Sequence, residues 1–241
     1  QKLLTYSFGG GIMRSLDRGD TWEQVNSGLD NFYIQDISIC PDNVEIAYVA
    51  TAGGGIFKTI DAFSGDCSWS KVSTLGLPET LNIDQVEVGT DPDILYIKAR
   101  LNDLSYKDLP LGLKYLAEFA SSPVFENGKW TGSTKASYFN GNNFVPLQPY
   151  LNGNRKAILF RSDDGGSSWT VVYDKDPDLL ETYEFSSGIF GLTITPGESD
   201  RVQFLYRSSL TSNNNNLGTV NKFQFITVDS GEVESETTFP F

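Results

Sequence analysis

A chain of 241 residues with a formal net charge of −13 and no histidine excludes several classes of function at once. Its acidic surface repels nucleic acid and anionic lipid; no apolar run approaches the ~20 residues of a membrane helix; and Ser-His-Asp or Cys-His nucleophiles and the usual zinc ligand sets lack their imidazole. With 16 Phe, 11 Tyr and 23 Gly against a single Met, the composition favours strands and tight turns, and the length suits one all-β domain over 1–241.

In chain order, the first pattern is GGGIMRSLDRGDTW at 9–22, which returns as GGGIFKTIDAFSGDCSW at 53–69. The offset, 44 residues from Gly9 to Gly53, also puts Ile12 on Ile56, Arg14 on Lys58, Ser15 on Thr59 and Asp17 on Asp61. A third copy, AILFRSDDGGSSW, supplies Ser162, Asp164, Gly166, Ser168 and Trp169. A shorter fourth, QFITVDSGEV, supplies Thr227, Asp229 and Gly231 without a Trp. Each full copy reads as a strand, a polar turn and a second strand beginning at or near Trp. In such a turn the Asp carboxylate accepts backbone N–H groups, Gly takes positive φ and the Ser or Thr hydroxyl closes the loop.

Plainer hairpins alternate with these: YIQDISICPDNVEIAYVAT, IDQVEVGTDPDILYIKAR and IFGLTITPGESDRVQFLYRS. Joining each plain hairpin to the next Asp-turn hairpin gives four-stranded antiparallel units, one from about 33 to 72 and another from about 189 to the C-terminus. The first unit begins directly at LLTYSF, so either the C-terminal TTFPF or a segment upstream has to supply its inner strand.

Ser15-Asp17-Gly19-Thr21-Trp22 and Ser162-Asp164-Gly166-Ser168-Trp169, with the expanded Thr59-Asp61-Trp69 and the truncated Thr227-Asp229-Gly231, resemble the Asp box. This element, also called the bacterial neuraminidase repeat, occurs in sialidases, sortilin-type receptor domains, xyloglucan hydrolases and a photosystem assembly factor. The resemblance covers nearly the whole chain. It implies a β-propeller of four-stranded blades with Asp-box C–D hairpins, four or five blades here, closed on itself or completed by a neighbouring subunit or a missing chain segment. It also implies that the boxes are structural and that ligands bind on the opposite, loop face. Arg18-Gly19-Asp20 lies inside the first box and is explained by it, while Arg14, Lys58 and Arg161 share one position before each box, which suits solvated or inter-blade pairing.

Roughly 55 residues separate the strand ending near Arg100 from the third box hairpin, against the usual ~2–6. The stretch 102–154 therefore reads as an insert in blade 3 on the loop face, or as a degenerate extra blade in which KYLAEFA and FENGKWTG pair around Asn127-Gly128. A short helix fits DLPLGLKYLAEFASS, capped by Asp108 and stopped by Pro123. The candidate ligand-binding residues on the loop face are Arg100 and Arg207, Tyr183 and Glu184, and the insert's Trp130, Tyr138 and Asn140. Aromatic rings beside amides suit sugar C–H faces and hydroxyls and equally suit protein interfaces, or they pack a small core of the insert itself.

The expected function is that of an extracytoplasmic recognition or assembly propeller, non-catalytic and without cofactor or metal, binding a glycan or a protein. The alternative implied by the resemblance is a glycoside hydrolase. A sialidase-like site takes an arginine triad, a Tyr nucleophile with a partner Glu, and an acid. Tyr183, Glu184, Arg100 and Arg207 are available for it, but the third arginine and the Arg-Ile-Pro signature are missing. A xyloglucanase-like site takes two aspartates, and Asp36 and Asp84 occupy equivalent inner strands.

Cys40 ends strand A of blade 2 and Cys67 lies in the enlarged box of the same blade, so both fall on the box face. Strands A and C lie about 9.5 Å apart, beyond the ~4.4–6.8 Å a disulfide accepts, but the three extra residues after Asp61 let Cys67 lean back. The expectation is a Cys40–Cys67 disulfide and hence an oxidising compartment, whether secreted, cell-surface or periplasmic. A start at Gln1 instead of Met also reads as a processed or excised chain. The alternative is two thiols, Cys40 buried and Cys67 exposed.

Overall fold

The computed structural model describes residues 2–7, 9–52, 55–77, 81–102, 155–174, 183–212 and 219–239, and four short strands between 125 and 146. Every described element is a strand, and the chain is a β-propeller of antiparallel blades. Blade 1 contains β1 (Leu3–Ser7), β2 (Gly11–Ser15) and β3 (Glu23–Gln24) in that order. Blade 2 contains β4 (Ile34–Ile39), β5 (Ala47–Thr51), β6 (Gly55–Thr59) and β7 (Ser70–Lys71). Blade 3 opens with β8 (Leu81–Val88) and β9 (Leu95–Asn102). Two small hairpins follow, β10 (Phe125–Glu126) with β11 (Lys129–Trp130) and β12 (Ser137–Phe139) with β13 (Phe144–Pro146). Blade 3 is completed by β14 (Arg155–Ser162) and β15 (Thr170–Tyr173). Blade 4 contains β16 (Tyr183–Thr195), β17 (Glu198–Ser212), β18 (Thr219–Asp229) and β19 (Glu232–Phe239), and its β16 pairs with β14 of blade 3 at one parallel bridge, Arg155 with Ser186.

Asn102 and Arg155 pair across β9 and β14, so the segment 103–154 leaves the sheet and re-enters it at adjacent backbone positions. The helix expected in DLPLGLKYLAEFASS lies outside the described residues.

Side chains alternate between two faces along each strand; the face toward the next blade in the chain is here the front, the other the rear. Three cores follow, one per junction. Ile12 of blade 1 meets Val49, Phe57 and Trp69 of blade 2. Tyr48 and Ile56 of blade 2 meet Val86, Ile97 and Phe160 of blade 3. Leu159 and Tyr173 of blade 3 meet Val202, Phe204 and Ile226 of blade 4. Residues of β5 and the second half of β14 are buried on both faces, as central strands between two cores must be.

Two expectations need correction. TTFPF does not complete blade 1: Thr237 and Phe239 lie in β19, opposite Phe225 and Phe223 of β18. The innermost described strand of blade 1 is thus β1, and its Tyr6 hydroxyl donates to the Gln35 carbonyl of blade 2 at 3.0 Å. Nor do Cys40 and Cys67 form a disulfide; both are free and buried. The sheet of blade 2 stands between them. Cys40 packs in the blade 2/3 core with its thiol 3.4 Å from the Thr90 carbonyl, while Cys67 packs in the blade 1/2 core, 3.6 Å from the Thr59 hydroxyl. The argument for an oxidising compartment that rested on the bridge has no support from these thiols.

Candidate functional site

The Asp turns explain themselves by their hydrogen bonds. In blade 1, Ser15 Oγ donates to Asp17 at 2.8 Å and accepts the Gly19 N–H at 2.7 Å, while Thr21 donates its N–H and hydroxyl to the two Asp17 oxygens at 2.9 and 2.6 Å. Blade 3 repeats this with Ser162, Asp164, Gly166 and Ser168 at 2.8, 2.9, 2.8 and 2.6 Å. In blade 2 the expanded loop keeps the bonds of Thr59 to Asp61, 2.5 Å, and of the Ser68 N–H to Asp61, 3.2 Å. Arg18 and Gly19 take φ of 70° and 101°, so the Arg18-Gly19-Asp20 run has the shape this turn dictates.

The fourth copy is a different turn, and Thr227, Asp229 and Gly231 do not build a box. Asp229 pairs directly with Glu232 across Ser230 and Gly231, both at positive φ (50° and 85°), which is a two-residue hairpin turn. Thr227 faces the front of blade 4, opposite in sense to the core residues Ile226 and Val228, whereas Ser162 lies on the rear of blade 3 with Ile158 and Phe160.

Four donors hold Asp17 and Asp164 low, at about 2, led in each case by the Thr21 or Ser168 hydroxyl. A depressed folded value stabilises above the ordinary carboxyl pKa of about 4 and ceases to as pH falls from there to about 2. Melting followed against pH should therefore show a loss of stability in that window that is flattened in an Asp17→Asn/Asp164→Asn double variant.

The cations before the boxes join blades. Arg14 donates to the carbonyls of Ala62 and Gly65 in blade 2, both at 3.2 Å, and to Glu23 at 2.9 Å. Arg161 bonds Asp163, Asp200 of blade 4 and the Tyr96 hydroxyl. Lys58 stacks over the Tyr48 ring at 5.1 Å. Tyr48 and Tyr96, at matching positions of β5 and β9, donate to carbonyls of the next blade, Pro92 between β8 and β9 at 3.0 Å and Asp200 near the start of β17 at 2.7 Å.

The inner strands carry the remaining chemistry. Each has a bulge, at Ile34/Asp36 in β4, Ile83/Gln85 in β8 and Phe190/Thr193 in β16, and the extra residue re-aims polar groups toward the neighbouring blade. Asp36 accepts the Val86 N–H at 3.1 Å and Ser38 Oγ accepts that of Val88 at 3.0 Å. Arg100 holds Asp84 in a two-point bond, both contacts 2.6 Å. Gln85 donates to Glu87 at 2.9 Å and to the carbonyl of Leu192, in the blade 4 bulge, at 3.1 Å. Burial raises the carboxyls of Asp36 and Glu87, the latter further by the Asp36 charge, and burial lowers Lys98 against the pull of Asp84 and Asp36. A cavity of about 280 Å³ opens beside Glu87, lined by Ser38, Thr90, Thr193, Thr195 and Ser199 from three blades.

Of the residues singled out in the sequence, Arg100 joins this cluster, already bound to Asp84. Arg207 does not: it lies on the front of blade 4 over the Phe190 ring at 5.3 Å, with the blade 4 sheet between it and Arg100. Tyr183 and Glu184 begin β16 opposite Ser212 and Thr211. Trp130 pairs with Phe125 and Tyr138 with Val145 in the two small hairpins, and Asn140 lies outside the described residues. Gln85, Glu87 and Lys98 were not anticipated, although their position beside Asp84 and Arg100 on neighbouring strands was a usable signal.

No family model and no curated protein matches the chain. Among solved structures, it is similar to an ancestral GH74 enzyme (14% identity, 99% of this chain and 29% of that one, TM-score 0.42). It is also similar to the GH74 xyloglucanase of Xanthomonas campestris (12%, 98% and 43%, TM-score 0.30) and to YCF48 of Cyanidioschyzon merolae (11%, 86% and 84%, TM-score 0.20). The chain spans less than half the length of the two GH74 enzymes.

Proposed function

We propose that this chain is an Asp-box recognition or assembly propeller that binds a glycan or protein partner on its loop face through the segment 103–154. The observation that carries the reading is the engagement of both candidate aspartates of the inner strands, Asp36 and Asp84, in holding the frame. Asp84 is locked to Arg100, and Asp36 is an acceptor for the next blade's backbone. The feature left to face a partner is a long excursion anchored at the Asn102–Arg155 pair. Because those two residues are paired, an Asn-Gly turn can replace 103–154 without moving either strand. The shortened chain is expected to keep its β-sheet spectrum and cooperative unfolding and to lose capture on a panel of immobilised oligosaccharides or on extracted surface proteins. Capture that survives the replacement sinks the reading.

A hydrolytic reading has one observation in its favour: Glu87, raised by burial, borders the 280 Å³ cavity, as a proton donor would. It stands second because Asp36, the carboxylate whose charge acts on Glu87, is hydrogen-bonded to backbone. Turnover of aryl glycosides by the native chain and its loss in Glu87→Gln would reverse the order.

A further inference from the structure

We propose that the cavity of about 280 Å³ at the turn end of the inner strands is a binding site for a neutral, monosaccharide-sized polyhydroxyl compound, separate from the partner surface assigned to 103–154. Its walls come from three successive blades: Ser38 from blade 2, Glu87 and Thr90 from blade 3, and Thr193, Thr195 and Ser199 from blade 4. No residue of blade 1, β18 or β19 takes part. These residues lie at or beside the turns that follow β4, β8 and β16. The Asp turns share that end of the molecule, since the Phe63 N–H bonds Glu45 of the β4–β5 turn at 2.8 Å and the Gly165 N–H bonds the Asp93 carbonyl of the β8–β9 turn at 3.0 Å. Asn102 and Arg155, which anchor 103–154, pair at the other end of β9 from Leu95 and Ser162, roughly 20 Å away along the strand.

The lining chemistry selects the ligand. Thr90 and Ser199 share one hydrogen bond at 2.7 Å, and Ser199 also accepts the Asp91 N–H at 3.2 Å. Two hydroxyls carry two donors and their mutual bond uses one, so whichever way it runs one O–H is left over among the described residues. Glu87 accepts from Gln85 at 2.9 Å and from Ser38, which leaves about half of a carboxylate's roughly four acceptor sites open. The Thr195 hydroxyl is buried without a partner among the described residues, a cost relieved by any ligand that draws it into a bond. Spare donors and acceptors thus stand side by side, as a hydroxylated ligand requires, with Ile39, Val88 and Ile194 between them for its C–H surface. The same lining disfavours other ligands. No cation among the described residues meets an anion there, and one carboxylate falls far short of the 6–8 oxygens of a calcium site. The volume is near the lower end of the ~300–1,000 Å³ of ligand pockets, which suits one small molecule and not a chain of sugars.

Titration of the isotope-labelled 241-residue chain with glucose, galactose and xylose, read at the Gly89 and Thr193 amides by NMR, tests it. The expected result is saturable movement of both amides with at least one of the three sugars, at a dissociation constant on the order of millimolar. Glucuronate, whose carboxylate finds no cation in the site, should bind about tenfold more weakly or worse. Thr193→Phe, at an exposed position, should fill the cavity and abolish the response. Thr90→Val removes one hydroxyl at nearly constant volume and should weaken binding about tenfold; if it does not fold, Thr193→Phe still decides. The chain with 103–154 replaced by a turn should titrate as the native chain does, so this site and the loop-face reading fail separately. The proposal is overturned if no sugar moves the two amides saturably up to about 100 mM, far above the millimolar scale. It is equally overturned by glucuronate binding as tightly as the neutral sugars, or by a response that Thr193→Phe leaves intact.

Discussion

Gly76→Ala is expected to destabilise the chain by about 3 kcal/mol or more, while Gly197→Ala, at nearly the same φ, costs about 1–2 kcal/mol. Gly76 and Gly197 have φ of 90° and 81°, so the backbone penalty of an L side chain is common to both. They differ in what a Cβ meets. At Gly197 nothing lies within 4 Å, whereas at Gly76 the Trp169 carbonyl oxygen would be 2.1 Å away. That oxygen cannot retreat, because the Trp169 N–H is bonded to Leu75 at 3.0 Å, one residue from the substitution. Gly76 sits third in the reverse turn closed by the Leu77 N–H to the Thr74 carbonyl, and Gly28 repeats it between Asn26 and Leu29, with the Trp69 oxygen 1.9 Å from its Cβ position. Against a total stability of about 5–15 kcal/mol, the loss at Gly76 is a large fraction. Denaturant midpoints for the two variants read the difference directly.

These glycines show which parts of the fold the sequence announces and which it does not. The Asp turns of blades 1 to 3 were legible because a Ser or Thr and an Asp, with a Gly in blades 1 and 3, close their loop within a few residues, by local hydrogen bonds alone. The exit turns Asn26–Leu29 and Thr74–Leu77 are just as regular, but their purpose is to admit the backbone of the next blade's Trp, a contact 41 residues away for Gly28 and Trp69, and nothing local marks it. Blade 4 was misread for the opposite reason. Asp-Ser-Gly satisfies both the box spacing and a two-residue hairpin, and only the missing Trp and the shorter loop separate them.

Face assignments failed or succeeded with strand parity. Cys67 lies two residues before Trp69 and Cys40 two after Ser38, and those neighbours point to opposite sides of blade 2. Parity kept along the strands would have placed the sulfurs apart, where distance along the meander suggested they meet. The Asp84–Arg100 pair escaped parity altogether, since the bulge at Ile83/Gln85 shifts the alternation by one residue. Arg100 and Arg207 were grouped as candidate ligand-binding residues of one loop face. Equivalent positions in successive blades look in the same direction around the axis, so a sheet separates them.

The same logic makes the tryptophans the sharpest test of the blade junction. Trp169→Ala should cost about 3–5 kcal/mol, as for a large buried aromatic, because the ring packs in the core between blades 2 and 3 and its indole satisfies the Ser73 carbonyl. Trp69→Ala should behave alike at the blade 1/2 junction. Trp22→Ala, the same residue in the same motif with its Ser15-Asp17-Gly19 bonds intact, should cost under about 1 kcal/mol, as for an exposed position. Its indole bond is confined to the turn it already covers. A phenylalanine at 169 isolates the hydrogen bond: it keeps most of the apolar area, leaves the Ser73 carbonyl without its donor and should cost about 1–3 kcal/mol. Measured by denaturant unfolding, equal losses at 22 and 169 would mean that the tryptophan stabilises its own turn. A large loss at 169 with a small one at 22 means that it stabilises the junction with the preceding blade, which is the reading the exposed Trp22 supports.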